Sequence, residues 1–287
     1  MKESSEQLGL IGIGLLGTAI AQRVLRAGYA IGGYDRQERS RRHLKKLGGT
    51  SLDSVREVAR ASRRIFLALP DSGVSRQVLK EMRRHLSPGT VILDATTGEP
   101  EEMSEIGRSL ARHGVRYLDT TILGSSADVA AGRAVVMIGG ARADFLKQRA
   151  LMGSFAATQF YLGGHGSGAK MKLVVNLVLG LNRAALAEGL AFAKATGVAP
   201  SRALELLRAG LAYSKVMDAK GPKMLRRNFK PVARLAQHLK DVRLIMRTAS
   251  AARFRAPLTA QHEKLLAKVA ARGGGELDNS AVILAYD

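Results

Sequence analysis

The stretch Leu8-Gly9-Leu10-Ile11-Gly12-Ile13-Gly14-Leu15-Leu16-Gly17 decides how this chain is read. Leu8 to Ile13 is a short apolar run ending in glycine, and Leu15 to Ala27 then follows a helical period that stops at Gly28. Ala30 to Tyr34 is apolar again and closes on Asp35. Strand, helix and strand within about 28 residues make a βαβ unit, because parallel strands need such a crossover. Gly12, Gly14 and Gly17 give G-x-G-x-x-G at the turn between first strand and helix. The first glycine permits the tight turn, the second lets backbone approach a pyrophosphate, and the third lets helix and strand pack closely. The helix N-terminus adds N–H donors and the positive end of a dipole. Gly12, Ile13, Gly14, Leu15, Leu16 and Gly17 are therefore expected to cradle a dinucleotide. Asp35, 23 residues after Gly12, stands where an acid accepts from the adenosine ribose hydroxyls.

The alternation continues outward from this unit. Arg64 to Leu69, Val91 to Asp94, Tyr117 to Asp119 and Ala134 to Ile138 read as strands, with helical stretches from Ser75 to His85 and Glu101 to His113. Repeated βα alternation predicts an α/β class, a doubly wound parallel sheet of the Rossmann type. After Tyr161 the pattern changes. Gly163, Gly164, Gly166 and Gly168 form a breaker cluster around His165 and Ser167, and no proline follows until after Ala195. That segment predicts a helix about 40 Å long at 1.5 Å per residue. Ser201 to Ala209, Val232 to Ala252 and Leu258 to Ala271 are helical in pattern, and no strand is expected among them. The division is placed at 165: a dinucleotide-binding domain over 1–165, then an all-α domain over 166–287 for substrate and dimerisation, linked by the long helix.

Composition bounds the function. The 287 residues include 45 Lys+Arg against 24 Asp+Glu, a formal charge of +21, with 46% apolar residues and mean hydropathy near zero. This is the profile of a packed domain, not of a disordered or collagen-like chain. Met1 to Gln7 is polar, carries two glutamates, and is read as neither signal nor transit peptide. No apolar run approaches the roughly 18 residues of a membrane span, the longest candidate being Leu173 to Leu181, broken by Asn176 and Gly180. No membrane association is expected. With no cysteine there is no disulfide, no thiol nucleophile and no Cys-ligated metal, and no metal site is expected. A cytoplasmic protein is consistent with that. The basic excess is spread, with 24 basic and 16 acidic groups over 1–165 and 21 and 8 over 166–287. It favours anionic ligands. Lacking a like-charge run or interleaved aromatics, it reads as a solvated basic surface before it reads as a nucleic-acid interface.

Asp35 repels a 2′-phosphate and so favours NAD(H), while Arg36, with Arg39, Arg41 and Arg42 close behind, leaves NADP(H) open. In the long helix, Lys172 and Asn176 are four residues apart and share a face. A lysine and a carboxamide beside an apolar helical segment are costly unless they meet a cavity or partner, and a lysine proton donor beside a nicotinamide accounts for the cost. A frayed first turn with Lys170 and Lys172 in solvent satisfies the spacing equally.

Taken together, these segments resemble the β-hydroxyacid dehydrogenase family: 3-hydroxyisobutyrate dehydrogenase, tartronate semialdehyde reductase and the glyoxylate/succinic semialdehyde reductases. The likeness runs nearly end to end. It covers Gly9 to Gly17, Asp94-Ala95-Thr96-Thr97 (similar to a D-x-S-T segment) and Asp119 to Gly132 (similar to a D-A-P-V-S-G-G loop). It continues through Phe160 to Asn176, Met217 to Pro231, Leu239-Lys240-Asp241, Asp278 and Ser280-Ala281. The resemblance implies Lys172 as the catalytic lysine and Asn176 as its substrate-holding neighbour. It implies Leu69, Pro70 and Thr97 at cofactor-contacting positions, and Lys240 reaching the nicotinamide side. Gly124 and Ser125 fall in a loop that grips a substrate carboxylate. It also implies a 6-phosphogluconate dehydrogenase-like arrangement and a homodimer or homotetramer.

The chain departs from the family at Thr121 and Leu123, where proline and serine stand in the family. A leucine cannot donate to a carboxylate, which leaves the grip to Ser125 and Ser126. The expected activity is hydride transfer between NAD(P) and a small 3-hydroxyacid or semialdehyde, with Lys172 as general acid–base. Leu123 keeps an imine or bulkier-carbonyl reductase as an alternative, and the charge keeps a dehydrogenase-like nucleic-acid or chromatin-binding module as one of another class.

Overall fold

The structure, a computed structural model, describes residues 7–287. The polar opening over residues 1–6 lies outside the described residues. The chain divides into two compact units, residues 1–172 and 173–287.

In the first unit the elements run β1 (Leu8–Ile11), α1 (Leu15–Arg26), β2 (Ile31–Tyr34), α2 (Glu38–Lys46), β3 (Thr50–Ser51) and α3 (Val55–Ala61). They continue through β4 (Arg64–Leu67), α4 (Ser72–Met82), β5 (Val91–Asp94), α5 (Pro100–Ala111) and β6 (Arg116–Leu123). Then come α6 (Ser126–Ala130), β7 (Val135–Gly140), α7 (Arg142–Gly153) and β8 (Thr158–Tyr161). One eight-stranded sheet has the order β3-β2-β1-β4-β5-β6-β7-β8. Its first six strands are parallel and follow the dinucleotide-binding order. The sheet departs from the wholly parallel expectation at one place: β7 runs antiparallel to β6, pairing Leu118 with Gly140 and Leu123 with Val135. The connection between them, residues 124–134, is too short for a parallel crossover of a dozen or more residues, so the chain turns back on itself.

Period-2 alternation divides the core between two faces. Leu8, Leu10, Phe66, Leu93 and Leu118 pack with α1, Leu44 of α2, Val129 of α6 and Met152 of α7. Ile11, Ile65, Leu67, Ile92 and Tyr117 face α3, α4 and α5. Both α3 and α4 start on side-chain caps that the sequence supplies: Ser54 accepts from the Glu57 N–H (3.2 Å) and Asp71 from the Val74 N–H (2.9 Å). The expected strands and helices fall within a few residues of their observed bounds, with α2, α3, α6, α7, β3 and β8 in addition. α2 (ERSRRHLKK) buries only Leu44, so it offers no apolar period to read.

α8 (Ser167–Ala195) carries the division between the units, and the second unit adds α9 (Pro200–Ala209), α10 (Lys215–Leu225), α11 (Leu235–Ala251) and α12 (Pro257–Ala271). The chain ends in short 3₁₀ segments, with no strand among the described residues of this unit. α10 holds Gly221 and Pro222 inside it, breaker signals that hide a helix from sequence reading. α8 is long and apolar enough to span a membrane by length and composition alone, although Asn176 and Gly180 interrupt its apolar run. In the fold its Leu186, Ala187 and Leu190 join Leu204, Met217, Leu239, Val242, Leu266 and Val282 in the core of the second unit.

Asp278 organises that unit's terminal segment. Fully buried, it accepts from Lys220 Nζ (2.9 Å), from the Ser280 hydroxyl (2.7 Å) and from the Val232 N–H (3.0 Å). Burial acts to raise its carboxyl, and these donors outweigh burial and hold it well below the usual carboxylate range.

Candidate functional site

The glycine loop has the geometry its spacing predicts. Gly12 sits at φ +92°, and a Cβ there would lie 2.3 Å from the Ala68 carbonyl oxygen. A Cβ on Gly17 would lie 1.9 Å from the Gly12 oxygen, so α1 can approach β1 only with glycine at both places. A Cβ on Gly14 would meet nothing within 4 Å. Gly14 is also the N-cap of α1 and gives it no side-chain cap, so Leu15 and Leu16 open the helix with their N–H groups outward. Open space over backbone donors at a helix N-terminus fits a pyrophosphate.

Asp35 follows β2 and reaches back to this loop. Its Oδ2 accepts from the Ile13 N–H (2.7 Å) and its Oδ1 from the Gln37 N–H (2.8 Å). Each oxygen keeps a second lone pair. Arg41 donates to the Asp35 carbonyl (2.6 Å) and lies over the Tyr34 ring, and Arg42 pairs with Glu38 (2.9 Å). Arg36 and Arg39 are exposed.

Register brings the other loops alongside. Ile11 pairs with Leu67, Leu67 with Asp94, and Asp94 with Asp119, so the segments after β1, β4 and β5 leave one edge of the sheet together. Leu69 and Pro70 follow β4, and Thr97 follows β5. Thr96, read in the sequence only as part of a D-x-S-T-like segment, is the residue that ties these loops. Its hydroxyl oxygen accepts from the Leu69 N–H (3.1 Å) and from the Ser75 hydroxyl (3.2 Å). Asp94 holds Thr96 in turn, accepting the Thr96 N–H (3.0 Å) and the Tyr117 hydroxyl (3.0 Å).

β6 runs on past that edge to Leu123, which is thus a strand residue, not part of the following loop. Lys172 Nζ donates to the Ile122 carbonyl at 2.6 Å, and Lys170 is exposed. The first turn of α8 is therefore ordered and its two lysines differ in surroundings. Beyond Leu123, Gly124 is exposed at φ +136°. Ser125 caps α6 in a capping box with Asp128, giving its hydroxyl proton to Asp128 Oδ2 (2.7 Å). Thr121 is fully buried and donates to the Gly168 carbonyl (3.0 Å). Asp128 is held below its ordinary value, first by the Ser125 hydroxyl and against a smaller effect of burial. The engagement of Thr121 rests on a tertiary neighbour and had no signal in residue spacing, whereas that of Ser125 with Asp128 is the local capping box S-x-x-D.

In the second unit, Asn176 stands one turn beyond Lys172 on α8. Its amide donates to Asp241 Oδ2 (3.2 Å), and Lys240 Nζ pairs with Asp241 Oδ1 (2.9 Å). The expected Asn176 and Lys240 thus meet at Asp241, a carboxylate to which sequence reading gave no role. No cluster of three or more metal-ligating side chains occurs among the described residues.

Residues 7–163 match the family model described as the NAD binding domain of 6-phosphogluconate dehydrogenase. Residues 166–286 match that described as the NAD-binding domain of NADP-dependent 3-hydroxyisobutyrate dehydrogenase. The chain belongs to the 3-hydroxyisobutyrate dehydrogenase family. It is a nicotinamide-dependent oxidoreductase. The 2-hydroxy-3-oxopropionate reductase of Escherichia coli is 31% identical to it over 98% of this chain and 97% of its own length. Glyoxylate/succinic semialdehyde reductase 1 of Arabidopsis thaliana is 26% identical over 96% and 97%. The crystal structure of 3-hydroxyisobutyrate dehydrogenase from Salmonella typhimurium superposes with a TM-score of 0.89 at 24% identity, covering 97% of this chain and 99% of that one, which establishes the shared fold.

Burial raises the Asp94 carboxyl to about 6, against the hydrogen bonds from Thr96, Tyr117 and Ser75 that oppose the rise. The folded value exceeds the unfolded one of about 4, so between pH 4 and 6 the native state binds the extra proton. Stability then falls as pH rises through that window and levels off above it. Relative to Asp94→Asn, the wild type should lose on the order of 1–3 kcal/mol between pH 4 and pH 7 in denaturant titrations. Parallel stability curves for the two proteins across that range would contradict the buried, proton-binding carboxyl.

Proposed function

We propose that the chain interconverts a small semialdehyde or oxoacid and its hydroxyacid, with Lys172 as the general acid–base. The observation that carries this reading is the Lys172 Nζ held 2.6 Å from the Ile122 carbonyl, while its neighbour Lys170 points into solvent. A bound nicotinamide supplies or accepts the hydride at the carbonyl carbon. Gly12 to Gly17 hold the pyrophosphate through backbone N–H groups, and Leu69, Pro70 and Thr97 line the segments that leave the same sheet edge. The carbon–oxygen double bond becomes an alkoxide as hydride arrives, and the Lys172 ammonium gives that oxygen a proton. In oxidation the neutral lysine removes the hydroxyl proton. Asn176, ordered by Asp241, is assigned to hold the substrate, and Lys240 to the nicotinamide side.

NAD(H) is the favoured cofactor on this reading. The Asp35 carboxylate faces the glycine loop, and Arg41 and Arg42 are engaged with the Asp35 carbonyl and Glu38. The exposed Arg36 is the residue assigned to meet the 2′-phosphate of NADP(H).

Leu123 supports a second substrate reading. Leucine replaces a donor, and Thr121 and Ser125 give their protons to Gly168 and Asp128, so a carboxylate finds fewer hydroxyls here. A longer or more apolar carbonyl compound, or an imine, gains an apolar wall instead.

Lys172→Ala should lower turnover by roughly 10²–10⁴-fold with cofactor affinity unchanged, and Lys170→Ala should do far less. Equal, near-normal turnover in both variants refutes the assignment. Asp35→Asn should narrow or reverse the preference for NADH, measured as the ratio of kcat/KM for NADH and NADPH. A wild type already favouring NADPH tenfold, about 1.4 kcal/mol, means the arginines outweigh the acid. A restored hydrogen bond to a charged substrate is worth about 1.5–3 kcal/mol. Leu123→Ser should accordingly raise kcat/KM for glyoxylate or succinic semialdehyde by roughly tenfold or more and lower it for an apolar aldehyde. Loss on both substrates shows that Leu123 packs the strand end and does not select substrate.

A further inference from the structure

Four bonds join the start of α8 to β6 inside the first unit. Asp119, fully buried, accepts the Gly166 N–H at Oδ1 (2.8 Å) and the Ala169 N–H at Oδ2 (2.9 Å). Thr121, two residues on and so on the same face of the strand, donates its hydroxyl to the Gly168 carbonyl (3.0 Å). The Ile122 carbonyl accepts from Lys172 Nζ (2.6 Å). Room for the carboxylate comes from missing side chains. A Cβ on Gly139 would lie 2.5 Å from Asp119 Oδ1, and one on Gly168 would lie 2.8 Å from Oδ2.

A carboxylate in such a place is costly, and burial raises the Asp119 carboxyl against the two amides that oppose the rise. Its two acceptors take donors three residues apart, one turn of helix, so together they fix both where α8 begins and how it is rotated. Rotation matters because successive side chains are about 100° apart around a helix. A slip of one residue would bring Met171 or Leu173 to the place Lys172 occupies.

We propose that Asp119 is a positioning residue for the reaction: by setting the register of α8 against β6 it delivers the Lys172 ammonium to the end of that strand. Thr121 is its accessory. The proposal rests on the acid–base reading of Lys172 above.

Asp119→Asn keeps the shape but offers one acceptor oxygen and turns an NH₂ toward the second backbone N–H, so one of the two bonds is lost. Thr121→Val removes the hydroxyl alone and serves if the first variant does not fold. Each should lower kcat about 10–100-fold, the scale of a misplaced catalytic group, with KM for the dinucleotide unchanged. Amide hydrogen exchange over Ala169 to Lys172 should quicken in both. In a Lys172→Ala background, Asp119→Asn should change residual kcat less than twofold, because no ammonium remains to be placed. Wild-type kcat with wild-type exchange in both variants overturns the proposal. So does an equal loss in kcat with and without Lys172, which marks Asp119 as structural only. Normal turnover in Lys172→Ala by itself overturns the acid–base reading and the positioning role of Asp119 with it. If that variant is inactive, the exchange rates and kcat of Asp119→Asn judge Asp119 alone.

Discussion

The approach of α1 to β1 at Gly12 and Gly17 is the constraint on which the first unit depends. With a Cβ at Gly17 the Gly12 carbonyl would be overrun, and with one at Gly12 the backbone after β4 would be. Because these contacts are backbone against backbone, no rotamer change relieves them, and the loop can exist only with glycine at those places. The closeness leaves the N–H groups at the head of α1 outside the strand, over open space at Gly14. The Asp35 carboxylate then ties this loop to the end of β2 through the Ile13 N–H. A dinucleotide cradle follows from sterics before any ligand is considered.

Buried carboxylates repeat one device across the chain. Asp94 orders the turn to Thr96, Asp119 the start of α8, and Asp278 the terminal segment of the second unit, each by accepting backbone N–H groups that the local structure leaves unpaired. The device is expensive, since an ionised group out of water must recover its hydration from fixed donors. It is also directional. An apolar side chain would fill the same volume without specifying where a helix starts or which way a loop turns. Asp94 and Asp278 show that burial does not by itself decide the outcome. Burial dominates at Asp94 and its carboxyl rises, whereas a lysine, a serine hydroxyl and backbone N–H groups together reverse the effect at Asp278.

The βαβ unit, the sheet's parallel half and the helical second half were legible because periodicity and glycine placement are local properties of the chain. α2 and α10 were not, since one is almost wholly polar and the other contains Pro222, and tertiary packing overrides both signals. The reversal at β7 was legible in principle, as residues 124–134 are too few for a crossover. The repeating alternation of the preceding strands masked it.

At the candidate site, sequence by itself determined the residue types: glycines at fixed offsets, an acid after the second strand, and two lysines and an asparagine on one helix. Their resemblance to a family assigned expected roles. Tertiary structure decided what each hydroxyl and carboxylate is occupied with. Lys172 and Lys170 are alike by composition, and only the strand end at Ile122 tells them apart. Thr121 is committed to Gly168, 47 positions away, whereas the commitment of Ser125 to Asp128 is a local capping box. The physical reason is range. Periodicity and turn chemistry act over a few residues, whereas a hydrogen bond such as that from Ala169 to Asp119 spans fifty positions and exists only once the sheet has formed.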